Sequence, residues 1–275
     1  MRSVPAVHLS APRTIWRGEL AAAGAREIPE ETAIALTYGR ATHAVMMATP
    51  ADLRDFALGF SLAEGIVQGP DDIEALDIVA VEDGIELRMD LVPARQSGLT
   101  RRQRRITGPG GCGLCGMDSL AEAVRPVPIV AGDRRFSPTD ISAALAALTN
   151  AQPLNALTRA VHAAAFWTPE DGLVLAREDV GRHNALDKLI GAMAWSGLRA
   201  ARGLLLLSSR VSVEMVQKAG AMGAPVVVAV SAPTALAVRT AEAAGITLIG
   251  IARDDSFEAF THTHRIGTGQ VGHGA

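Results

Sequence analysis

Several residue types and patterns are scarce in this 275-residue chain, and each scarcity excludes a class of protein. Aromatic residues make up only 4% and the net charge is −3, so neither stacking side chains nor a basic field indicates nucleic-acid binding. Two cysteines are too few for a disulfide framework. The strongest apolar runs, 204–207 and 225–230, are too short to cross a bilayer, and residues 1–20 lack the apolar core of a signal peptide. We therefore expect a soluble, cytoplasmic protein that binds neither nucleic acid nor membrane.

Both cysteines stand in one glycine-rich stretch, Gly-Pro-Gly-Gly-Cys-Gly-Leu-Cys-Gly at 108–116. Because glycine loses the most backbone entropy on ordering, this stretch is expected to form an exposed loop. Four arginines at 101–105 precede it, and nearby positive charge favours the thiolate form of a cysteine. The pattern predicts a reactive-sulfur loop that carries Cys112 and Cys115.

Two other interpretations of the cysteine pair remain. Half of a structural zinc site is one, but zinc usually takes four protein ligands, and no histidine lies nearby in sequence. A thioredoxin-like redox pair is the other, but that motif opens a helix and contains little glycine.

The first hundred residues predict a small α+β lobe. Segments 32–38 and 42–47 alternate around a glycine turn, and 76–81 and 85–89 flank an Asp-Gly turn, so each pair predicts a hairpin. Between them, Thr49 is a candidate N-cap with Pro50 at the first helical position. Residues 1–31 are expected to be irregular. The N-terminal lobe is assigned to residues 1–125, ending in the arginine run and the Cys-x-x-Cys loop.

Residues 126–275 predict an α/β domain. A helix is expected after Ser137, and a hairpin over 161–167 and 173–176. Apolar runs at 204–207, 226–230 and 246–251 alternate with helical segments 212–221 and 234–244. This alternation is typical of a largely parallel sheet with helices on both faces.

Polar residues follow each of the three apolar runs, where open parallel sheets bind ligands at the carboxyl ends of their strands. The three segments predict a nucleotide-phosphate site, and they comprise Ser208, Ser209 and Arg210; Ser231, Ala232, Pro233 and Thr234; and Ile251, Ala252, Arg253, Asp254, Asp255 and Ser256. Simple N-caps and a solvated Arg253 are the alternative interpretation.

Four blocks in this order resemble one known family: T-P-x-D-L-x-D-F-A-L-G-F from Thr49, C-G-L-C-G from Cys112, R-E-D-V-G-R-H-N-A-L-D-K from Arg177 and S-S-R from Ser208. The chain resembles the FdhD family of formate dehydrogenase accessory sulfurtransferases from about residue 32 to 266, and the twelve-residue block is the most specific match. Arg159 and Ala160 stand where we expect glycines of this family, which weakens the case for close backbone approach to a ligand there.

The resemblance implies a cytidine-deaminase-like mixed sheet with helices on both faces, in a cytoplasmic homodimer. It implies that a cysteine desulfurase loads sulfur as a persulfide. That sulfur then passes to the molybdenum cofactor, bis-molybdopterin guanine dinucleotide, before the cofactor enters formate dehydrogenase. A GDP- or GMP-like nucleotide is expected to fit the same site, and no intrinsic metal is expected.

By the motif match, Cys112 is the persulfide carrier, while Cys115 either resolves the persulfide to a disulfide or relays the sulfur. His183, Asn184, Asp187 and Lys188 are expected to bind polar groups of the cofactor, with His183 and Asp187 on one helix face. The alternative for this segment is a helix cap and a surface ion pair between Asp187 and an arginine.

Two further functions were weighed against sulfur transfer. A chaperone that binds the cofactor without sulfur chemistry would tolerate loss of Cys112. A zinc deaminase is disfavoured, because its glutamate and downstream cysteines are missing here. His262 and His264 share one face if extended, where a solvated edge strand is favoured over a metal site.

Overall fold

A computed structural model describes residues 3–96, 125–253 and 255–267. Cys112, Cys115 and the arginine run at 101–105 lie outside these residues, so the reactive-sulfur loop stays a prediction. Within the ranges described, no helix is long and apolar enough to span a membrane.

The N-terminal segment forms a hairpin of β1 (His8–Arg17) and β2 (Leu20–Pro29). The expectation that residues 1–31 are irregular is therefore wrong. Most residues of both strands are exposed on both faces, so the sequence lacks the alternation of apolar and polar residues that marks a half-buried strand.

A four-stranded sheet with one helix forms the rest of the N-terminal lobe. The sheet has the order β4-β3-β6-β5, and its elements are β3 (Thr32–Tyr38), β4 (Ala41–Ala48), α1 (Leu53–Ala63), β5 (Ile73–Ala80) and β6 (Ile85–Leu91). A short 3₁₀ turn at Pro70–Asp72 precedes β5. Both predicted hairpins are confirmed. Ile34, Leu36 and Leu87 pack with Phe56 and Leu58 of α1 in one buried core.

Helix α1 begins later than the sequence predicts. Its first residue is Leu53 and its N-cap is Asp52, with a left-handed φ of 52°. Thr49 is therefore not the N-cap. Its amide instead donates to the Asp179 carboxylate of the other lobe at 3.0 Å. A tertiary contact outweighs the local preference for Thr49 as a cap.

The second part of the chain builds a six-stranded mixed sheet of order β12-β11-β10-β9-β7-β8. Its elements are α2 (Pro138–Asn150), α3 (Pro153–Thr158), β7 (His162–Thr168), β8 (Gly172–Asp179), α4 (Arg182–Trp195), β9 (Leu204–Leu207), α5 (Val213–Ala221), β10 (Val226–Ala229), α6 (Ala235–Ala243), β11 (Thr247–Arg253) and β12 (Ser256–Ala259). Strands β9, β10 and β11 are parallel, while β7, β8 and β12 pair antiparallel with their neighbours.

Helices cover both faces of this sheet, as predicted. Alternate residues of β9 face opposite ways: Leu204 and Leu206 pack with α2, and Leu205 and Leu207 with α4, α5 and α6. The mixed α/β architecture is thus confirmed. The more specific likeness to cytidine deaminases stays a prediction.

The two lobes meet where α1 packs against α4. A Cβ added at Gly59 would lie 1.7 Å from the Asp187 carbonyl oxygen, and one at Gly191 would lie 1.9 Å from that of Asp55. Only glycine permits so close an approach of two helix backbones. A division of the chain near residue 125 stays a prediction, but the lobes on either side of it share a tightly packed interface.

Candidate functional site

The three predicted polar segments lie side by side at the carboxyl edge of the parallel strands. Val211 donates its amide to the Ala232 carbonyl at 3.4 Å, and Thr234 donates to the Val211 carbonyl at 2.9 Å. Ile251 donates to the Ser231 carbonyl at 3.3 Å. We call the surface formed by 208–211, 231–234, 251–253 and 255–256 the carboxyl edge. Its assembly follows the sequence argument, whereas its ligand stays a prediction.

Several hydroxyl groups of the carboxyl edge are engaged within the protein. Ser208 Oγ accepts from the Ala163 amide at 2.7 Å, and Ser209 Oγ donates to the Arg210 carbonyl at 3.2 Å. Thr234 Oγ1 accepts from the Ala237 amide and so caps α6. The N-cap interpretation is therefore confirmed for Thr234, and these hydroxyls chiefly fix the loop backbones.

Other groups of the edge face solvent. Arg210, Arg253, Ala232, Asp255 and Ser256 are exposed, Ser231 and Pro233 are half-buried, Ala252 is buried, and Asp254 lies outside the described residues. The guanidinium groups of Arg210 and Arg253 bring positive charge to this surface, and the exposed carboxylate of Asp255 offsets part of it. Ser256 Oγ donates to the Arg253 carbonyl at 3.2 Å, which holds the turn between β11 and β12.

Ile251 is strained and exposed at this edge. Its φ is 52°, in the left-handed region that a β-branched residue rarely adopts, and its side chain is 38% exposed. A bulge interrupts the pairing of β11 with β12 at this point. Such strain concentrates at ligand-binding and catalytic positions, so it marks Ile251 as a candidate contact for a planar or apolar ligand group.

Two more elements reach the same edge. Strand β7 runs antiparallel to β9, so its first residue, His162, lies near the end of β9, and it is paired in register with Asp179 at the end of β8. Helix α4 then begins at Arg182. Burial of His162 and the nearby Arg182 charge lower the pKa of its imidazole, against an opposing effect of Asp179. His162 is therefore neutral at pH 7.

Two pairs of polar side chains connect α4 to α5, four residues apart on each helix. His183 Nε2 lies 2.8 Å from Glu214 Oε2, and Lys218 Nζ lies 2.7 Å from Asp187 Oδ1. His183 and Asp187 thus share a helix face, as predicted. The outer pair is partly exposed at the carboxyl edge, and the inner pair is buried.

Burial changes the ionisation of both pairs. It raises the pKa of the Asp187 carboxyl to about 6, although the Lys218 charge opposes this effect. Burial also lowers the pKa of His183, against the attraction of Glu214. Asp187 belongs to the interior of the molecule, so the expectation of a surface ion pair with an arginine is wrong.

A second polar network, which we call the lobe joint, connects Thr49, Asp179, Asn184 and Lys188. Lys188 Nζ lies 2.6 Å from Asp179 Oδ2 and donates to the Thr49 carbonyl at 2.8 Å. Thr49 Oγ1 accepts from the Val180 amide at 3.1 Å. Asn184 Nδ2 donates to Asp179 Oδ1 at 3.0 Å and to the Met47 carbonyl at 2.8 Å.

The predicted cofactor residues of α4 therefore divide into two groups. Asn184, Asp187 and Lys188 are 3%, 1% and 0% exposed and have partners inside the protein. His183 alone of the four reaches the carboxyl edge. The prediction that they bind a cofactor stays untested, but direct contact is open to His183 and closed to the others in this conformation.

Three residues near the edge were missed by sequence reasoning: His162, Arg182 and Glu214. Arg182 stands inside the recognised block, beside the residues that drew attention. The signal that could have found it is position, since it is the first residue of a helix that follows a strand of the same sheet.

Arg159 occupies a position that favours glycine. It ends α3 with a φ of 55° and is exposed. The family resemblance predicts glycine here, and the left-handed backbone gives the physical reason, because glycine adopts this conformation without steric cost. Arginine at this position places a further positive charge two residues before Val161 and β7.

Among the residues that the structure describes, no group of three or more histidine, cysteine, aspartate or glutamate side chains is placed to hold a metal ion. His262 and His264 do not lie in an edge strand as favoured by the sequence. His262 has a φ of 45°, and His264 lies in the 3₁₀ turn Thr263–Arg265. His262 Nε2 is 2.8 Å from the Glu242 carbonyl oxygen.

Comparison with known proteins gives a consistent result. The model of the FdhD/NarQ family matches residues 29–267. The sulfur carrier protein FdhD of Agrobacterium fabrum is 50% identical over 265 residues, covering 96% of this chain and 98% of the relative. The protein of the same name from Brucella abortus is 55% identical over 242 residues, covering 88% and 90%.

A solved structure shares the fold. A crystal structure described as a formate dehydrogenase accessory protein of Desulfotalea psychrophila superposes with a TM-score of 0.73. It covers 95% of this chain and 100% of its own, at 20% sequence identity. The sequence matches extend across both lobes, including the lobe joint and the carboxyl edge. The chain therefore belongs to the FdhD/NarQ family.

Proposed function

We propose that this protein is a sulfur carrier for the maturation of formate dehydrogenase. A cysteine desulfurase loads sulfur onto Cys112 as a persulfide. The protein then transfers that sulfur to the molybdenum cofactor, bis-molybdopterin guanine dinucleotide. The observation that carries this proposal is the identity of 50% over 96% of the chain to a protein named as a sulfur carrier.

The loading step requires only groups that the sequence supplies. The Cys112 thiolate attacks the terminal sulfur of the donor persulfide, an S–S bond forms to Cys112, and the donor S–S bond breaks with its electron pair leaving on the donor thiolate. Four arginines at 101–105 favour the thiolate of Cys112. Cys115 is the candidate for relaying the sulfur or resolving the persulfide. On this proposal the protein is a sulfurtransferase.

The carboxyl edge is the proposed site for the nucleotide part of the cofactor. Arg210 and Arg253 offer exposed guanidinium groups for phosphates, and Ile251 offers an apolar surface for a planar ring. Ser231, Ala232 and Pro233 form the loop between these groups. In this proposal, Asn184, Asp187 and Lys188 support the site from the interior instead of touching the ligand. A guanosine nucleotide such as GDP would bind in the same way.

The proposal also sets the cellular context. A carrier that receives sulfur from a desulfurase and serves formate dehydrogenase would work in the cytoplasm, where cysteine thiols stay reduced. We propose that it acts there as a homodimer, without bound metal of its own. The cytidine-deaminase-like fold remains part of the proposal, since helices cover both faces of the mixed sheet.

Intact-protein mass spectrometry tests the sulfur chemistry. The wild type, Cys112→Ala and Cys115→Ala are incubated with a cysteine desulfurase and cysteine, and each mass is measured before and after treatment with a reductant. We expect the wild type and Cys115→Ala to gain one sulfur atom that the reductant removes, and Cys112→Ala to gain none.

Two results would contradict the carrier assignment. An equal gain in all three proteins would place the sulfur elsewhere, and no gain in any of them would indicate a cofactor-binding chaperone without sulfur chemistry. Omitting the desulfurase provides the control for any mass gain that does not depend on the sulfur donor.

A further inference from the structure

The block 177–188 contains eight polar side chains, and seven of them have a polar group of the protein within ion-pair or hydrogen-bond distance, although the buried His183 Nε2 makes no well-aligned hydrogen bond to Glu214. Arg177 pairs with Asp55, and Glu178 accepts from the Leu154 and Asn155 amides. The lobe joint and the pairs between α4 and α5 engage the next five: Asp179, His183, Asn184, Asp187 and Lys188. Within the part of the chain that the structure describes, Arg182 has no hydrogen-bond or ion-pair partner.

The position of Arg182 makes this exception informative. Its Nε is buried and unpaired, although its side chain as a whole is only half-buried. A buried N–H without a partner is unfavourable, so such groups are rare in native proteins. The terminal nitrogens remain available for a ligand. Arg182 also lies close enough to His162 and His183 for its charge to lower the pKa of both imidazoles.

Arg182 stands at one end of a row of positive charge. The carboxyl edge runs from β8, which precedes Arg182, through β7 and β9 to β10 and β11, and Arg210 follows β9 and Arg253 ends β11. At about 4.8 Å between strands, the row from β8 to β11 extends roughly 19 Å, which matches an extended dinucleotide. Helix α4 directs its positive end to the same place.

We infer that Arg182 binds an anionic oxygen group of the ligand, a phosphate or diphosphate, at the β8 end of the carboxyl edge. This inference rests on the proposed function for the identity of the ligand, but the residue and the chemistry come from the geometry. A guanidinium donates two parallel N–H groups to phosphate oxygens, which suits an arginine whose side chain has no partner within the described residues.

The buried carboxylates near Arg182 are each offset by a lysine, while Glu214 and the exposed Asp255 are the carboxylates that oppose an anion at this edge. Asp179 is neutralised by Lys188, and Asp187 by Lys218. Glu214 is the carboxylate that faces the start of α4, and its side chain is directed to His183 Nε2 at 2.8 Å. His162 has a lowered pKa and is neutral at pH 7, so it can donate one hydrogen bond to the same anion, whereas the neutral His183 faces Glu214 through Nε2.

Isothermal titration calorimetry with three probes tests the assignment: inorganic pyrophosphate, GDP and guanosine. The proteins are the wild type, Arg182→Gln, Arg182→Lys and Arg239→Gln, where Arg239 is an exposed arginine of α6. We expect Arg182→Gln to bind pyrophosphate and GDP at least about tenfold more weakly, with guanosine affinity unchanged. Arg182→Lys should lie between Arg182→Gln and the wild type, and Arg239→Gln should match the wild type.

The three probes separate failure of this inference from failure of the proposed nucleotide site. Affinities of Arg182→Gln for pyrophosphate and GDP within about twofold of the wild type would overturn the role of Arg182 and leave the proposed function intact. Pyrophosphate binding that depends on Arg182, without any GDP binding by the wild type, would support Arg182 and reject the nucleotide. If the wild type binds neither pyrophosphate nor GDP, both the role of Arg182 and the proposed nucleotide site are rejected. Because the Arg182 side chain has no described partner and its Nε is buried, Arg182→Gln should unfold at the same temperature as the wild type or at a higher one.

Discussion

The sequence block 177–188 contributes both to the lobe joint and, through the start of α4, to the carboxyl edge, yet the polar groups at these two places differ in how far protein partners satisfy them. At the joint, Asp179 and Lys188 are both 0% exposed, and their neighbours Thr49 and Asn184 complete the hydrogen bonding. At the edge, Arg182 is unpaired within the described residues, and Ile251 carries backbone strain. At the lobe joint, protein groups satisfy the hydrogen bonds of the buried side chains. At the carboxyl edge, hydrogen-bond donors remain available for a ligand.

This difference separates structural from ligand-binding residues better than the sequence pattern does. A buried charge is tolerated only with a complete set of partners, so saturation indicates a role in holding the fold. Strain and unpaired donors reduce stability, and they are retained where binding compensates for them. The following predictions test this division, beginning with the largest expected effect.

The largest effect is expected from breaking the lobe joint. Lys188→Met would leave the buried Asp179 carboxylate without its countercharge, and we expect the free energy of unfolding to fall by about 3–5 kcal/mol. Urea unfolding followed by circular dichroism measures the change.

Arg88→Met is the matched control. This substitution removes an exposed ion pair, in which the Arg88 side chain is 51% exposed and the Glu86 side chain 33% exposed. The free energy of unfolding should fall by at most about 1 kcal/mol. Similar losses in the two variants would refute the view that the joint holds the lobes together.

The buried Asp187 should make stability depend on pH. Its pKa is raised from 3.8 to about 6 by burial, so the folded state keeps a proton that the unfolded state releases between these values. Stability from this group is therefore complete below pH 4 and is lost as pH rises towards 6, by roughly 3 kcal/mol at most.

Asp187→Asn isolates this contribution. Between pH 4 and pH 6, the wild type should lose unfolding free energy relative to Asp187→Asn. Above pH 6, the difference between the two proteins should stay constant. A difference that does not change with pH would show that the Asp187 carboxyl titrates normally and that Lys218 fully offsets its burial.

The smallest effect is expected at the strained edge. Ile251→Gly relieves a left-handed conformation that costs an L-residue about 1–2 kcal/mol, which offsets the entropy cost of glycine. We expect unfolding free energy equal to the wild type or higher, and weaker binding of GDP measured by calorimetry.

Ile129→Gly is the comparison for this variant. Ile129 is 82% exposed and is not among the residues with positive φ, so glycine there should only destabilise. If Ile251→Gly loses as much stability as Ile129→Gly, the strain at Ile251 has no energetic weight. If its affinity for GDP is unchanged, Ile251 does not contact the ligand.

Much of the fold could be predicted from local pattern. The hairpins around Gly39 and Gly84, the capped helix after Ser137 and the alternation of β9, β10 and β11 with α5 and α6 all follow from periodicity and turn residues. The N-terminal hairpin was missed because its strands are exposed on both faces, so their sequence does not alternate between apolar and polar residues. The start of α1 was missed because Thr49 bonds to the other lobe.

The candidate site was predicted in part. Topology alone brings the carboxyl ends of parallel strands to one edge, so residues 208–211, 231–234 and 251 could be placed together in advance. It could not be predicted that His183 reaches this edge while Asn184 and Lys188 are buried and hydrogen-bonded inside the protein. A 3.6-residue period shows which residues share a face, but burial and partners depend on the elements that pack there.

The sequence by itself determined the mixed α/β class and the family, and it predicts a reactive-sulfur loop that carries Cys112, because glycine content, periodicity and motif spacing are local properties. Only the tertiary structure decided which polar residues of 177–188 are saturated and which one is free to bind. The physical reason is that the cost of a buried or unpaired charge is set by its neighbours in space. For Asp179 and Lys188 these neighbours include Thr49, about 130 residues away in the chain.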